Sequence, residues 1–241
     1  MQALERQTIS EQIEILVVDN HSQDDSIGVI RNRLTQLPHV KIIETPKNSG
    51  YGQGNTMGTG YAHGKYILII NPDNILQPTA LELMLAEIEA YEDIAIVAPK
   101  LVHDDGTVRH SARSFPDLMD VIIKRIAPHS MFRPRMNKYL QLKENPDQPR
   151  DVDWVVGACM LIRKSALEKV GSFDPRFFLF FEDMDLCRRM KNVGYRIRYF
   201  PEAIAGDRKH RLTDGSLLSL VCSRSGRAHI GSALKYFYKW K

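Results

Sequence analysis

The chain is poor in the features that would place it outside an ordinary enzyme fold. It has three cysteines, Cys159, Cys187 and Cys222, too few and too scattered for a disulfide framework or a zinc site. They read as packing residues in a reducing compartment, and a cytoplasmic location is expected. No apolar run approaches the roughly 20 residues needed to cross a bilayer, and the amino terminus lacks the apolar core of a signal peptide. Charge of one sign is scarce too. The formal net charge is +4 with acids and bases interspersed, which gives no case for a nucleic-acid partner. What is present is apolar: 43% of 241 residues is enough for one substantial core.

The chain is organised around Tyr66-Ile67-Leu68-Ile69-Ile70-Asn71-Pro72-Asp73-Asn74. The aliphatic run reads as a strand buried on both faces, and it stops where Pro72 removes a donor. The polar end is either an Asx turn or a place where Asp73 meets a hard cation beyond a strand terminus. The same grammar occurs earlier, in Ile13 to Asn20, a strand ending at Asp19. Ser22 or Asp24 can cap the helix implied by Ile27, Ile30, Leu34 and Leu37, which Pro38 closes. Val40 to Glu44 follows as a strand. Asn48-Ser49-Gly50-Tyr51-Gly52-Gln53-Gly54-Asn55 reads as a glycine-rich loop entering a helix through Tyr61.

Next come a helix from Thr79 to Tyr91, with Leu81, Leu85 and Ile88 on one side, and a strand from Ile94 to Ala98. Strands alternating with helices at this spacing predict an α/β fold with a wound, mostly parallel sheet and flanking helices. From 103 to 151 the apolar rhythm fades, and Arg133-Pro134-Arg135 is basic and rich in proline. This stretch is expected to be an irregular excursion that serves as a lid or acceptor loop, or a disordered segment. A strand is expected over Val152 to Arg163, with Gly157 and Ala158 leaving room for close approach.

Phe177-Phe178-Leu179-Phe180-Phe181 then delivers Glu182 and Asp183 to the start of a helix with Met184, Cys187 and Met190 on its inner face. The helix dipole favours the ionised acids and the apolar run disfavours them, which poises one as a base; simple capping is the alternative. Arg224 to Lys241 interleaves bases with aromatics on a helix. It suits either an anionic membrane surface or packing on its own domain.

Val17-Val18-Asp19-Asn20 with Ser22 and Asp25, Asn48-Ser49-Gly50 with Asn55, Asn71-Pro72-Asp73, Asp153-Trp154-Val155-Val156-Gly157-Ala158 and Phe181-Glu182-Asp183-Met184-Asp185-Leu186-Cys187-Arg188 form a set. Together they resemble the GT-A glycosyltransferases of family 2, most of all bacterial rhamnosyltransferases of O-antigen and other cell-surface polysaccharides. The resemblance runs from about Ile13 to Pro201. It implies a catalytic domain over 1–216 and a basic, aromatic helical extension over 217–241.

The resemblance further implies an inverting, metal-dependent transferase moving a sugar, rhamnose from dTDP-rhamnose, to a lipid-linked or oligosaccharide acceptor. A UDP-sugar is the alternative donor, and peripheral contact with the inner face of the cytoplasmic membrane is expected. Asp19 would hold base or ribose, with Asn48, Gly50 and Asn55 in the same cleft. Asn71 and Asp73 stand at the family's Asp-X-Asp motif, where Asp73 would bind Mg²⁺ or Mn²⁺ on the donor diphosphate. Asp183 would deprotonate the acceptor, with Glu182 second in rank, and Trp154, Gly157 and Ala158 would border the acceptor.

Two departures from the pattern carry expectations of their own. Relatives begin with a Val-Ile-Val strand and an aromatic-Asn-Ser turn, which nothing upstream of Ile13 matches. Weakened donor binding and unpaired neighbouring strand edges are expected. The alternative function is therefore a GT-A domain that binds nucleotide or glycan without catalysis. Relatives also place a metal-binding histidine shortly after the proline matching Pro201. Here Asp207 occupies that place and His210 follows, both candidate ligands.

Overall fold

The computed structural model describes residues 1–34, 40–126, 132–208 and 223–241. Its centre is the strand β5 (Ile94–His103), whose residues 94 to 98 have essentially no exposed surface. A strand covered on both faces needs apolar side chains at successive positions. Accordingly Ile96 and Ala98 join one core cluster, while Ile94, Val97 and Leu101 join the other. β10 (Cys159–Arg163) divides its side chains the same way: Met160 and Ile162 face one cluster, Cys159 and Leu161 the other.

The main sheet runs β3 (Tyr66–Ile70), β10, β5, β11 (Arg196–Asp207), β4 (Ile75–Leu76), with β6 (Val108–Arg109) on β5 and β8 (Arg150–Val152) on β11. The wound α/β architecture is as expected, but strand direction in this sheet is mixed. β5 and β11 are parallel, whereas β10 is antiparallel to both β3 and β5. β11 passes through Pro201 with a register shift between Phe200 and Ile204, where the missing N–H is accommodated.

A second, parallel pair is made by β1 (Ile15–Asp19) and β2 (Val40–Glu44). Among the described residues it has no strand partner in the main sheet. Leu37 and Pro38 lie outside the described residues; α2 itself covers Ser26–Leu34, with Asp24 accepting from the Ser26 amide at 3.1 Å. The glycine-rich stretch is a helix rather than a loop from Tyr51 onward: α3 spans Tyr51–Tyr61. Its glycines serve close packing. A Cβ at Gly58 would come within 2.7 Å of Val18, and one at Gly52 within 3.0 Å of Phe173. Their helix-propensity cost, about 1 kcal/mol each, is the cost of laying α3 directly on β1 at Gly58 and on Phe173 at Gly52.

α4 (Ala80–Ala90) buries Leu81, Met84 and Ile88 under the main sheet. Residues upstream of β1, including α1 (Gln2–Glu5), are fastened to its start through the buried Gln7, which donates to Gln77 O at 2.9 Å and accepts from the Leu81 amide at 3.1 Å.

The excursion over 103–151 is not irregular. It contains β6, β7 (Ala112–Arg113), α5 (Leu118–Ile126), α6 (Arg133–Leu140) and the start of β8. Arg133-Pro134 opens α6, where proline's fixed φ and absent N–H suit a first helical turn. The single strand expected over 152–163 is three pieces, β8, β9 (Trp154–Val155, paired with β7) and β10, because the chain turns at Gly157 and Ala158.

α7 (Lys164–Val170) leads to α8 (Glu182–Asn192), which buries Met184, Leu186, Cys187 and Met190. The last helix, α9 (Arg224–Lys239), packs on this fold: Tyr236 is fully buried and its hydroxyl accepts from Arg188 at 3.1 Å. Asp185 of α8, also fully buried, accepts from Arg189 (2.8 Å), Trp240 (2.9 Å) and Lys239 (2.7 Å).

Candidate functional site

The polar ends of β1, β3 and the β9–β10 turn are joined to the start of α8 by a continuous chain of hydrogen bonds. At the end of β3 the Asn71 amide donates to Ala158 O (2.8 Å). The neighbouring Gly157 amide donates to Asp183 Oδ2 (2.9 Å), while Tyr51 Oη donates to Gly157 O (2.6 Å). Tyr51 opens α3, and its amide donates to Phe178 O (2.9 Å). Gly50, just before it, has φ +94°, and a Cβ there would fall 2.0 Å from Phe178 O, so no other residue fits.

Asn20, immediately after β1, ties this rim to the nucleotide-side candidates. It donates to Gly50 O (2.9 Å) and Asn48 Oδ1 (3.2 Å), and it accepts from Thr45 (3.2 Å) and the Ser49 amide (3.3 Å). Asp19 holds the Ser22 amide at 3.1 Å. Asn55 lies inside α3, donating to Tyr51 O (3.1 Å). Asp19, Asn48, Gly50, Asn71, Gly157, Ala158 and Asp183 are thus parts of one rim. Asn20 and Tyr51 were not among the sequence candidates. Their signal was adjacency alone, Asn20 beside a strand-terminal acid and Tyr51 beside a glycine.

The two acids of α8 differ. Glu182 is buried against α3, and one of its oxygens, Oε2, has no hydrogen-bond partner among the described residues. Burial, and then the charge of Asp183, push its carboxyl well above the usual carboxylate range. Asp183 is half-buried; burial raises it as well, opposed by the Gly157 and Met184 amides and by Arg113. Asp183 therefore ionises first, and its charge keeps the proton on Glu182. Phe180 and Phe181 both have φ of +68°, an uncommon conformation for bulky residues, directly before this pair.

The remaining candidates separate from the rim in instructive ways. Trp154 is 4% exposed, donates to Ser114 O (2.9 Å) and lies under the Arg113 guanidinium at 5.1 Å. It is a buried support, not an open wall for an acceptor. Asp207 is also buried: Arg109 (2.7 Å) and Asn74 (2.9 Å) donate to it, and His103 stands 3.6 Å away. This corrects the expectation of an open metal ligand, since the guanidinium already supplies the positive charge a cation would bring. His210 lies outside the described residues.

Asp73 is exposed, and among the described residues its carboxylate has no hydrogen-bond or ion-pair partner. Among the described residues no group of three or more histidine, cysteine, aspartate or glutamate side chains is placed so that it could hold a metal ion. A single free carboxylate does not build a cation cage. It does fit Mg²⁺ or Mn²⁺ that arrives with phosphate oxygens and water as its other ligands.

Comparison with known proteins agrees with this arrangement. The family model for glycosyl transferase family 2 matches residues 2–171. The chain is 29% identical over 206 residues to an N-acetylglucosaminyl-diphospho-decaprenol L-rhamnosyltransferase of Mycobacterium tuberculosis, covering 79% of this chain and 65% of that protein. It is 32% identical over 161 residues to the rhamnosyltransferase WbbL of Escherichia coli K12, covering 63% of this chain and 58% of that protein. The chain thus spans somewhat under two thirds of the length of these relatives.

Among solved structures, GalNAc-T7 with UDP, GalNAc and Mn²⁺ superposes with a TM-score of 0.65 at 14% identity, over 89% of this chain and 41% of that one. Staphylococcus aureus TarS 1-349 in complex with UDP gives 0.55 at 17% identity, over 86% of this chain and 55% of that one. At such identities the likeness concerns the fold. Taken with the acid-ended strands and the rim they form, the match establishes that the chain belongs to glycosyltransferase family 2 and has the GT-A fold.

Proposed function

We propose that the chain transfers a sugar from a nucleotide diphosphate donor to a hydroxyl of a glycan or lipid-linked acceptor, with inversion, and that Asp183 is the base. The observation that carries this reading is the Gly157–Asp183 contact. An acid whose pKa is raised by burial is held by a main-chain amide, on a rim shared with the ends of β1 and β3. The acceptor hydroxyl gives its proton to Asp183 as its oxygen bonds the anomeric carbon, and the bond from that carbon to the diphosphate breaks. Single displacement of this kind needs one base, which leaves protonated Glu182 as a neutral support behind it.

Asp19, Asn20 and Asn48 would orient the nucleoside, and Asp73 would hold the divalent cation. When bound, Mg²⁺ or Mn²⁺ offsets the negative charge developing on the diphosphate. Rhamnose from dTDP-rhamnose is the proposed donor, on the strength of the two rhamnosyltransferase relatives. The segment from Arg109 to Arg150 is the proposed cover that keeps water from the donor.

No described helix is long and apolar enough to cross a membrane. The outer side of α9, where Ile230, Leu234 and Tyr238 are exposed one helical turn apart near Lys241, is the proposed contact with a lipid surface carrying the acceptor. A second reading, nucleotide or glycan binding without transfer, is favoured by one feature, the separation of β1–β2 from the main sheet. Labelled dTDP-rhamnose with Mn²⁺ and a lipid-linked disaccharide acceptor distinguishes them. Turnover that disappears in Asp183→Asn supports transfer; donor binding with no turnover in the unaltered chain supports the second reading.

A further inference from the structure

Between α7 and α8 the chain runs from Gly171 to Phe181 without helix or strand, and it ends on the two left-handed residues that precede Glu182 and Asp183. Bulky side chains enter that conformation at a cost, and two in succession persist only where the surroundings over-determine them. Much of that surrounding is α9. His229 sets its ring against both residues, with centroids 5.1 Å from Phe180 and 5.3 Å from Phe181, and the Tyr236 ring lies 5.4 Å from Phe181. Ser232, 2% exposed, donates to Leu179 O at 2.9 Å, the carbonyl directly before the pair. Lys235 reaches the same segment at Arg176 O (2.7 Å).

Two of these contacts are more than packing demands. An alanine would fill the place of Ser232 in the core, so the buried hydroxyl is explained by the one loop carbonyl it meets. His229 is half-buried, and among the described residues its ring is the only one of α9 that pairs with both Phe180 and Phe181. From the other direction α3 holds the segment, through the Tyr51 amide on Phe178 O. The turn is clamped between α3 and α9, and the first turn of α8 leaves the clamp with Asp183 on the Gly157 amide at 2.9 Å.

We infer that His229 and Ser232 are positioning residues for Asp183: through the left-handed turn at Phe180 and Phe181 they hold its carboxylate against Gly157. Each acts through the turn, one by its ring and one by its hydroxyl. If both let go, the two phenylalanines relax toward ordinary backbone angles, and the start of α8 shifts away from the rim. The effect on transfer rests on the reading of Asp183 as the base. The placement of the carboxylate does not.

The test compares three variants of the full chain with the unaltered one: His229→Ala combined with Ser232→Ala, His229→Phe alone, and Ala233→Gly. The double variant removes both contacts, and His229→Phe keeps a flat ring against the turn. Ala233→Gly weakens α9 through helix propensity and leaves both contacts in place. Hydrogen–deuterium exchange of the Gly157 and Tyr51 amides reads the placement, and steady-state kinetics read its consequence. In the double variant both amides should exchange at least about tenfold faster. Its kcat should fall roughly ten- to a hundredfold while the donor KM stays within about twofold. His229→Phe should keep most of the kcat, and Ala233→Gly should lower the melting temperature without moving exchange or kcat. Unchanged exchange at Gly157 in the double variant overturns the inference, as does an equal loss of kcat in His229→Phe or in Ala233→Gly. Faster exchange with full transfer keeps the positioning and removes Asp183 as the base, so the two readings fail separately.

Discussion

β5 and β1 look alike as sequence, each a run of aliphatic residues, but they are held very differently. β5 has neighbours on both edges and helices over both faces, and residues 94 to 98 are all buried. Among the described residues β1 has a strand on one edge only, and of its five residues Ile15 alone is buried. An apolar run therefore specifies a strand, while the number of neighbours decides how firmly it is fixed. The consequence for the proposed site is a division of labour: the acid Asp183 rests on the over-determined half, and the groups proposed to face the nucleotide rest on the loosely held one.

The largest expected effect tests the firm half. Asp183→Asn keeps the Gly157 contact but removes the proton acceptor, and transfer should fall by roughly a hundred- to ten-thousandfold with donor affinity unchanged. Steady-state kinetics beside donor titration decide it; retained transfer assigns the base elsewhere. Next comes the contrast in packing. Ile96→Ala in β5 should cost about 2–5 kcal/mol, whereas Val17→Ala in half-buried β1 should cost about 1 kcal/mol. Similar costs in urea unfolding would erase the distinction between the two halves.

Asp73→Ala should weaken Mn²⁺-dependent donor binding about tenfold while leaving metal-free nucleotide binding alone, since Asp73 is proposed as one ligand among phosphate and water. Calorimetry with and without Mn²⁺ reads this directly. Tyr51→Phe removes the 2.6 Å bond to Gly157 O, and about 1 kcal/mol of stability should go with it. A larger change in transfer rate than in stability would show that Tyr51 also positions Gly157 against Asp183.

The smallest effect is in pH. Glu182 holds its proton to higher pH when folded than its ordinary value of 4.5, so its stabilising contribution is full below that value and is lost as pH rises through the folded one. Glu182→Gln should therefore gain melting temperature relative to the unaltered chain as pH rises. The acid limb of its transfer profile should stay where it is, because Glu182 is already neutral when Asp183 ionises. A constant offset in melting temperature from pH 4 to pH 8 would contradict the raised value.

The start of β5 was legible because burial on both faces leaves no room for polar residues; β3, an equally unbroken aliphatic run read as buried on both faces, is in fact buried only at alternate positions, Ile67 and Ile69. The acids that follow apolar runs were legible for a related reason, since the change from apolar to polar is abrupt after Val18, Ile70 and Phe181. The stretch from 103 to 151 was misread because its elements are short and their apolar residues are partly exposed, as at Leu118, Met119 and Ile122. The helix at Tyr51 was hidden by glycines that local propensity reads as loop and that packing on β1 requires. No local pattern could reveal that Asp207 would be neutralised by Arg109, because 98 residues separate the partners.

Asp185 sits two positions beyond the proposed base and is gripped by Lys239 and Trp240, from the last three residues of the chain. Shortening the protein there would strip two of three partners from a carboxylate sealed in the interior, a loss worth about 3–5 kcal/mol for a broken buried pair. The damage would fall on the very helix that presents Asp183. Anyone trimming or tagging that terminus should expect to disturb the chemistry, although the cut lies far along the chain from it.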